Sequence, residues 1–429
     1  MNGDTRIERQ LPQILSDLGA GPSPDYTDTI LARTAATRQR PGVVFPERWV
    51  PMSALTQRMA AAPRISWRAV AVLALLILAL VSAALYVGSQ QRRVPLPFGP
   101  ADNGVIPYVA NGDLFVGDPI TGESRLLISG PEADALPQFS PDGTRIAFIR
   151  DVGTTEIKPI EIYVAPGDGS ETVKITPEPI WNWQYIAWTP DGQGVAVVSK
   201  VDAATNKVDV YDADGSEPVT TILEAAQLDF IEFRPPDGSE IMFRARIDGS
   251  YGLFAMDADG SNVRPIQLST DPENQDFWGG ATYTPDGSRI FYTRPYVRET
   301  ADGSTCCSLW VMNADGSDAH QFIPQPQKAW DGQPAVSPDG SMVAFWHVNG
   351  SARLAVARAD GSGSFITTGP PMGDSTAHWV WAPDSSKILM IPNDGSSRSA
   401  YLLDPAGGEW TMVPWDSDLD LDWQRVAAD

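Results

Sequence analysis

The residues able to do chemistry are few. The chain holds three histidines, His320, His347 and His378, and two cysteines, Cys306 and Cys307. Nucleophilic catalysis with a serine needs a base and a carboxylate around a strained G-x-S-x-G elbow. No such elbow occurs, and the histidines stand alone in sequence. A hydrolase is therefore not expected. The recurring "DADGS" invites a calcium reading, but an EF-hand loop needs Gly at position 6 and Glu at position 12. "DADGSEPVTTIL" (212–223) has Gly at position 4 and no Glu at 12. A hairpin turn accounts for it, and neither a metal nor a cofactor is expected. The adjacent cysteines lack the C-x-x-C spacing of redox catalysts. Two readings stand for them: a strained vicinal disulfide in an oxidising compartment, or a pair of packed thiols.

A second group of residues suits binding. "PIWNWQ" (179–184), "NQDFWGG" (274–280), "KAWDGQ" (328–333) and "MGDSTAHW" (372–379) combine large aromatics with carboxylates. Trp181, Trp183, Phe277, Trp278 and Trp330, with Asp276, Asp331 and His378, would form an aromatic and acidic rim. Asp134, Asp229 and Asp374 occupy similar positions. Such a rim fits a basic peptide, a protein loop or a glycan. The alternative is that these tryptophans plug a channel or pad neighbouring loops.

What must position these loops is a repeat. "FSPDGTRIAF" (139–148) returns as "WTPDGQGVAV" (188–197), "YTPDGSRIFY" (283–292) and "VSPDGSMVAF" (336–345). The aspartates of the Pro-Asp turns are Asp142, Asp191, Asp237, Asp286, Asp339 and Asp384, with gaps of 49, 46, 49, 53 and 45 residues. Ser385 replaces Gly in the last. A second Gly-containing turn follows each, so every unit reads as four strands, a to d. Four-stranded units with a period in the forties predict a β-propeller. Six units are complete. "VIPYVANGDLFVGDPITGESRLLIS" (105–129) supplies strands b, c and d of a seventh, and "LDLDWQRVA" (419–427) supplies a lone strand a. The expectation is an all-β, seven-bladed propeller over 104–427 whose C-terminal strand completes the first blade. Phe139, Trp188, Phe233, Tyr283, Val336, Trp381 and Trp423 share one slot in strand a. Recurring in every blade, they are expected between blades rather than in a site.

The repeat "SPDGxxIAF" followed by "DGS" resembles the TolB-type, WD-like propeller family over 105–427. That resemblance implies an extracytoplasmic domain binding proteins or peptides at a funnel mouth. The same repeat occurs in the gating propeller of prolyl oligopeptidases.

Outside the repeat, residues 69–88 (AVAVLALLILALVSAALYVG) are apolar throughout, and no charge occurs between Arg68 and Arg92. About 20 such residues span a bilayer as a helix. Arg58, Arg64 and Arg68 before the span, against Arg92 and Arg93 after it, place the N-terminus in the cytoplasm and the propeller outside. Residues 89–103 read as a linker. Residues 1–68 carry nine Arg against six acidic residues, while the remainder carries 22 basic against 48 acidic residues. So acidic a body repels nucleic acid. The N-terminal segment reads as two or three short helices, either a partly disordered tail or, within 1–66, a docking segment for a cytoplasmic protein. The layout resembles anti-sigma factors, although 1–68 hold no His and no Cys and so no zinc motif. Two functions follow: an anchored binding or scaffold protein, or a transmembrane regulator with the propeller as sensor.

Overall fold

A computed structural model of the chain describes residues 70–77 and 94–428, except 153–158, 217, 270–279, 297–305, 324–329, 371–376, 393–398, 408 and 417–421. The chain divides into two units, Met1–Gln91 and Arg92–Asp429. Of the first, the described part is a helix over 70–77, where Val70, Val72, Leu73, Leu75, Leu76 and Ile77 are exposed. Among the described residues no helix is long and apolar enough to cross a membrane. The rest of the expected 69–88 span, and all the expectations for 1–68, lie outside the described residues.

The second unit is built from antiparallel sheets in chain order. Blade 2 is typical: strand a is Asp134–Phe139, b is Arg145–Asp151, c is Ile160–Pro166 and d is Val173–Lys174. Blades 3 and 4 join through one pairing, Ala226 with Arg246. Blade 1 has Ile106–Ala110, Asp113–Gly117 and Ser124–Ile128 from the start of the unit. The other end of the sequence returns beside it, but in a separate two-stranded sheet with residues 102–103 and not as a fourth strand paired to Ile106–Ala110. Arg425 and Val426 pair with Asn103 and Asp102, and the Gln424 amide donates to the Val105 carbonyl.

The turn chemistry explains why the motif recurs. In blade 2, Ser140 Oγ accepts from the Arg145 amide at 3.0 Å, and the Asp142 carboxylate accepts from Ser140 Oγ and from Thr144. Thr284–Asp286–Ser288 and Ser337–Asp339–Ser341 repeat it. A proline, an aspartate and a residue able to take positive φ recur at the turns, with a hydroxyl first at Ser140, Thr189, Thr284 and Ser337 and Arg234 or Ala382 in its place in blades 4 and 7. Burial pushes the Asp142 carboxyl up, but the bonds from Ser140 and Thr144 outweigh it and hold it below the usual range. At the closure Gln424 replaces the hydroxyl, its Oε1 accepting from the Val105 amide. Ser385 takes the glycine position with φ 65°. Its Oγ accepts from the Asp339 amide of the preceding blade, a bond that glycine would not make.

Among the described residues the core is seven separate apolar clusters, one at each interface between successive blades, including one between blades 7 and 1. The slot aromatics lie in them as expected: Phe139, Trp188, Phe233, Tyr283, Trp381 and Trp423 are all buried, and Val336 packs against its cluster from the side. The blade 7–1 cluster joins Ile106 and Trp423 to Leu389, Ile391 and Val413. Burying apolar area at every one of seven contacts closes the ring.

Candidate binding surface

The loops from strand d to the next strand a lie at one end of the barrel-like ring, and the Pro-Asp-Gly turns lie at the other. At the first end the expected rim is partly in place. Ile180 bridges Ile160, Trp181 follows it half-exposed, and Asn182 at φ 53° turns the chain so that Trp183 enters strand a. Trp183 packs partly against the core between blades 2 and 3. Trp330 opens strand a of blade 6 and lies edge-on to Trp346, with ring centroids 5.4 Å apart. His378 is exposed, and with Trp379, Ala377, Gln333, Pro334 and Gly280 it lines a cavity of about 370 Å³ between blades 5, 6 and 7. Phe277, Trp278, Asp276 and Asp374 lie outside the described residues, as does the side chain of Cys306. Cys307 is buried in strand c of blade 5.

The aspartates expected on the rim have another task. Asp331 is 1% exposed and lies 2.7 Å from His347 Nδ1. Asp134 is equally buried and accepts from Arg150 Nε at 2.7 Å and Nη2 at 3.1 Å. Asp229 accepts from Arg244. Each pair clamps the start of strand a to the end of strand b, and the basic partner stands eleven residues after the slot in all three blades. Asp331 is thus turned into the blade and is not presented to a ligand. Burial pushes the Asp134 carboxyl above its ordinary value, against the pull of Arg150. A buried carboxylate of this kind needs its partner. The signal was available in the sequence as Asp before the slot and Arg or His eleven residues after it.

Down the axis the residue before the slot reaches the next blade. Trp188 Nε1 donates to the Gln138 carbonyl and Trp381 Nε1 to the Ala335 carbonyl. Glu232 accepts from the Tyr283 amide at 2.8 Å and from Thr282 Oγ1. Asp422 accepts from the Phe139 amide. Burial raises Glu232 to about 7, and raises Asp422 above its ordinary value.

The turn end holds a feature that sequence reasoning missed. Pro141, Pro190, Pro235, Pro285 and Pro338, one from each of five turns, surround a cavity of about 300 Å³ at the axis. Tyr185, Glu232 and Phe98 also line it. Proline at a fixed offset in a closed repeat must form such a ring; only the linker residues at its centre were beyond inference.

Comparison with known proteins matches this geometry. The propeller domain of the Trilobed protease from Pyrococcus furiosus aligns with 75% of this chain and 98% of its own, at TM-score 0.50 and 17% identity. A prolyl endopeptidase aligns over 75% of this chain and 51% of its own, at TM-score 0.51 and 14% identity. In sequence, the Tol-Pal system protein TolB of Anaeromyxobacter dehalogenans is 33% identical over 115 residues, which is 27% of this chain and 23% of that protein. The fold is a TolB-like β-propeller. No protein-family model matches the chain. The match to each of the curated relatives spans less than a quarter of that relative's length.

Proposed function

We propose that this TolB-like propeller is a non-catalytic binding module, held at the outer face of a membrane by residues 69–88, and that it captures a protein or peptide at the loop-side mouth. The observation that carries the reading is the open cavity between blades 5, 6 and 7, where His378 stands exposed beside the half-buried Trp379 at the strand starts. Aromatic faces with a few polar groups favour peptide or glycan ligands. Trp181 and Trp330 extend the surface to blades 3 and 6. The peptidases among the similar structures carry a propeller of this kind within longer chains. On this reading the present chain uses its propeller for binding alone. Of the two readings of Cys306–Cys307 this one keeps the packed thiols, since both residues lie in strand c of blade 5, paired with Tyr296 and Pro295, and Cys307 is buried.

The test is capture from membrane extract by the full-length protein and by a variant with Trp181, Trp278, Trp330 and His378 changed to Ala. A partner retained by the first and lost by the second supports the reading. Capture that survives all four changes refutes it. A second reading, a regulator that signals through residues 1–66 with an anti-sigma-like layout, rests on the apolar segment between two polar parts of the chain. It requires a cytoplasmic protein that binds residues 1–66 with an affinity set by propeller occupancy.

A further inference from the structure

The linker ahead of blade 1 does not run clear of the propeller. Residues 94–100 form no helix or strand, yet they cross the turn-side mouth. Pro97, Phe98 and Gly99 line the axial cavity together with the five turn prolines. The Phe98 ring packs against the core cluster between blades 3 and 4. At the other side of the mouth, Arg425 Nη2 donates to the Leu96 carbonyl at 3.1 Å and to the Gly99 carbonyl at 2.6 Å. Arg425 is itself on the closing strand. Further on, the Ala101 amide donates to the Pro383 carbonyl of blade 7.

We propose that this axial cavity is a second binding site, for a short extended peptide with a proline–aromatic step, and that Pro97–Phe98–Gly99 is its resident, displaceable occupant. Four observations support this. A ring of pyrrolidine faces is an apolar surface that suits aromatic and proline side chains, and a proline-rich peptide loses little entropy in binding it. The two Arg425 bonds reach only backbone carbonyls, so any extended chain in the same place can accept them. The strap has no strand pairing over 94–100, and Val94 and Leu96 on it are exposed. Space of about 300 Å³ remains beside Phe98, walled by Tyr185 and Glu232, which is room for a further side chain. An incoming peptide and the strap therefore exclude one another. Displacement would free the residues leading back in sequence to the apolar 69–88 segment, so that occupancy of this mouth is read out as slack in the linker.

The probe is the hexapeptide Pro-Leu-Pro-Phe-Gly-Pro, which copies residues 95–100, fluorescently labelled. Anisotropy would be followed with the full-length protein and with the Phe98→Ser variant. A strap that fills its site nine-tenths of the time weakens the wild-type apparent affinity about tenfold. Phe98→Ser should therefore bind the peptide about tenfold more tightly. Adding Arg425→Met to that variant should weaken binding again. A control peptide with Ser for Phe should not bind. Changing the rim residues Trp181, Trp330 and His378 should leave peptide affinity unaltered, which separates this site from the loop-side mouth. Equal affinity of wild type and Phe98→Ser overturns the proposal, as does absence of binding to a folded Phe98→Ser protein. Should that variant fail to fold, amide hydrogen exchange on the wild type decides. Saturating peptide must accelerate exchange at Phe98 and Gly99, and unchanged protection there refutes displacement.

Discussion

Trp423→Ala tests whether the C-terminal strand closes the ring. Trp423 is 4% exposed and lies in the cluster between blades 7 and 1, and its Nε1 donates to the Gly104 carbonyl at 3.1 Å. Burying roughly 200 Å² of aromatic side chain at about 25 cal/mol per Å² sets an upper bound near 5 kcal/mol. Collapse around the void recovers part of that, because the closing strand is short and can shift. The expected loss is about 3–5 kcal/mol. The assay is urea unfolding followed by far-ultraviolet circular dichroism, since removing a tryptophan alters the fluorescence baseline. Trp381→Ala is the internal standard. It occupies the same slot in blade 7, is 6% exposed, and donates its Nε1 to the Ala335 carbonyl. The two losses should agree within about 1 kcal/mol if the split blade is held like the continuous ones. A loss under about 1 kcal/mol for Trp423→Ala, with the full loss for Trp381→Ala, would refute the reasoning. The ring would then be stable without its closing strand.

Three further outcomes are expected. Gly143 has φ 67°, and a Cβ there would stand 2.0 Å from the Arg425 carbonyl oxygen. Gly143→Ala should thus lower stability by more than about 2 kcal/mol, whereas Gly249→Ala, at φ 80° with nothing within 4 Å, should cost only the conformational term of about 1 kcal/mol. Thermal melts of the two variants check this. Arg150→Leu strands a buried carboxylate and should cost roughly 3 kcal/mol at neutral pH, while the double change with Asp134→Asn should cost less, as a double-mutant cycle would read. Glu232 has a folded-state value near 7 against 4.5 for an ordinary glutamate. Between these values the folded protein keeps a proton that the unfolded chain has released, so stability falls as pH rises through the window. Glu232→Gln should therefore gain melting temperature relative to wild type at pH 8 and none at pH 4, and a gain of equal size at both would show that the carboxyl is not the cause.

The fold was legible because its determinants are local and repeated. Ser140, Pro141, Asp142 and Gly143 each do a task that four adjacent residues can specify, and the same four recur in full at four of the six turns. The slot aromatics were legible for the same reason, since a position filled by Phe, Trp or Tyr in six blades must meet equivalent surroundings. The return of the C-terminal strand beside blade 1 followed from counting strands. The Asp331–His347 pair was not recognised because its partners are 16 residues apart on neighbouring strands, and an aspartate beside a tryptophan reads equally well as rim or clamp. Burial decides between those, and burial is a tertiary property. The membrane span rests on composition, and the structure describes only residues 70–77 of it.

The two ends of the ring differ for a physical reason. On the turn side the connections share a hydrogen-bond pattern within a few residues, so much of the surface follows from the fold, with Pro141, Pro190, Pro235, Pro285 and Pro338 around the axial cavity. On the loop side the connections carry no such requirement, and Trp181 and His378 stand there exposed. A surface free to vary suits selection of a particular ligand. A surface fixed by the repeat suits recognition of something equally generic, an extended proline-bearing backbone. The chain places such a backbone there itself, at Pro97–Phe98–Gly99, where Arg425 of the closing strand holds it. Arg425, on the strand that meets residues 102–103, thus also holds the linker in the mouth.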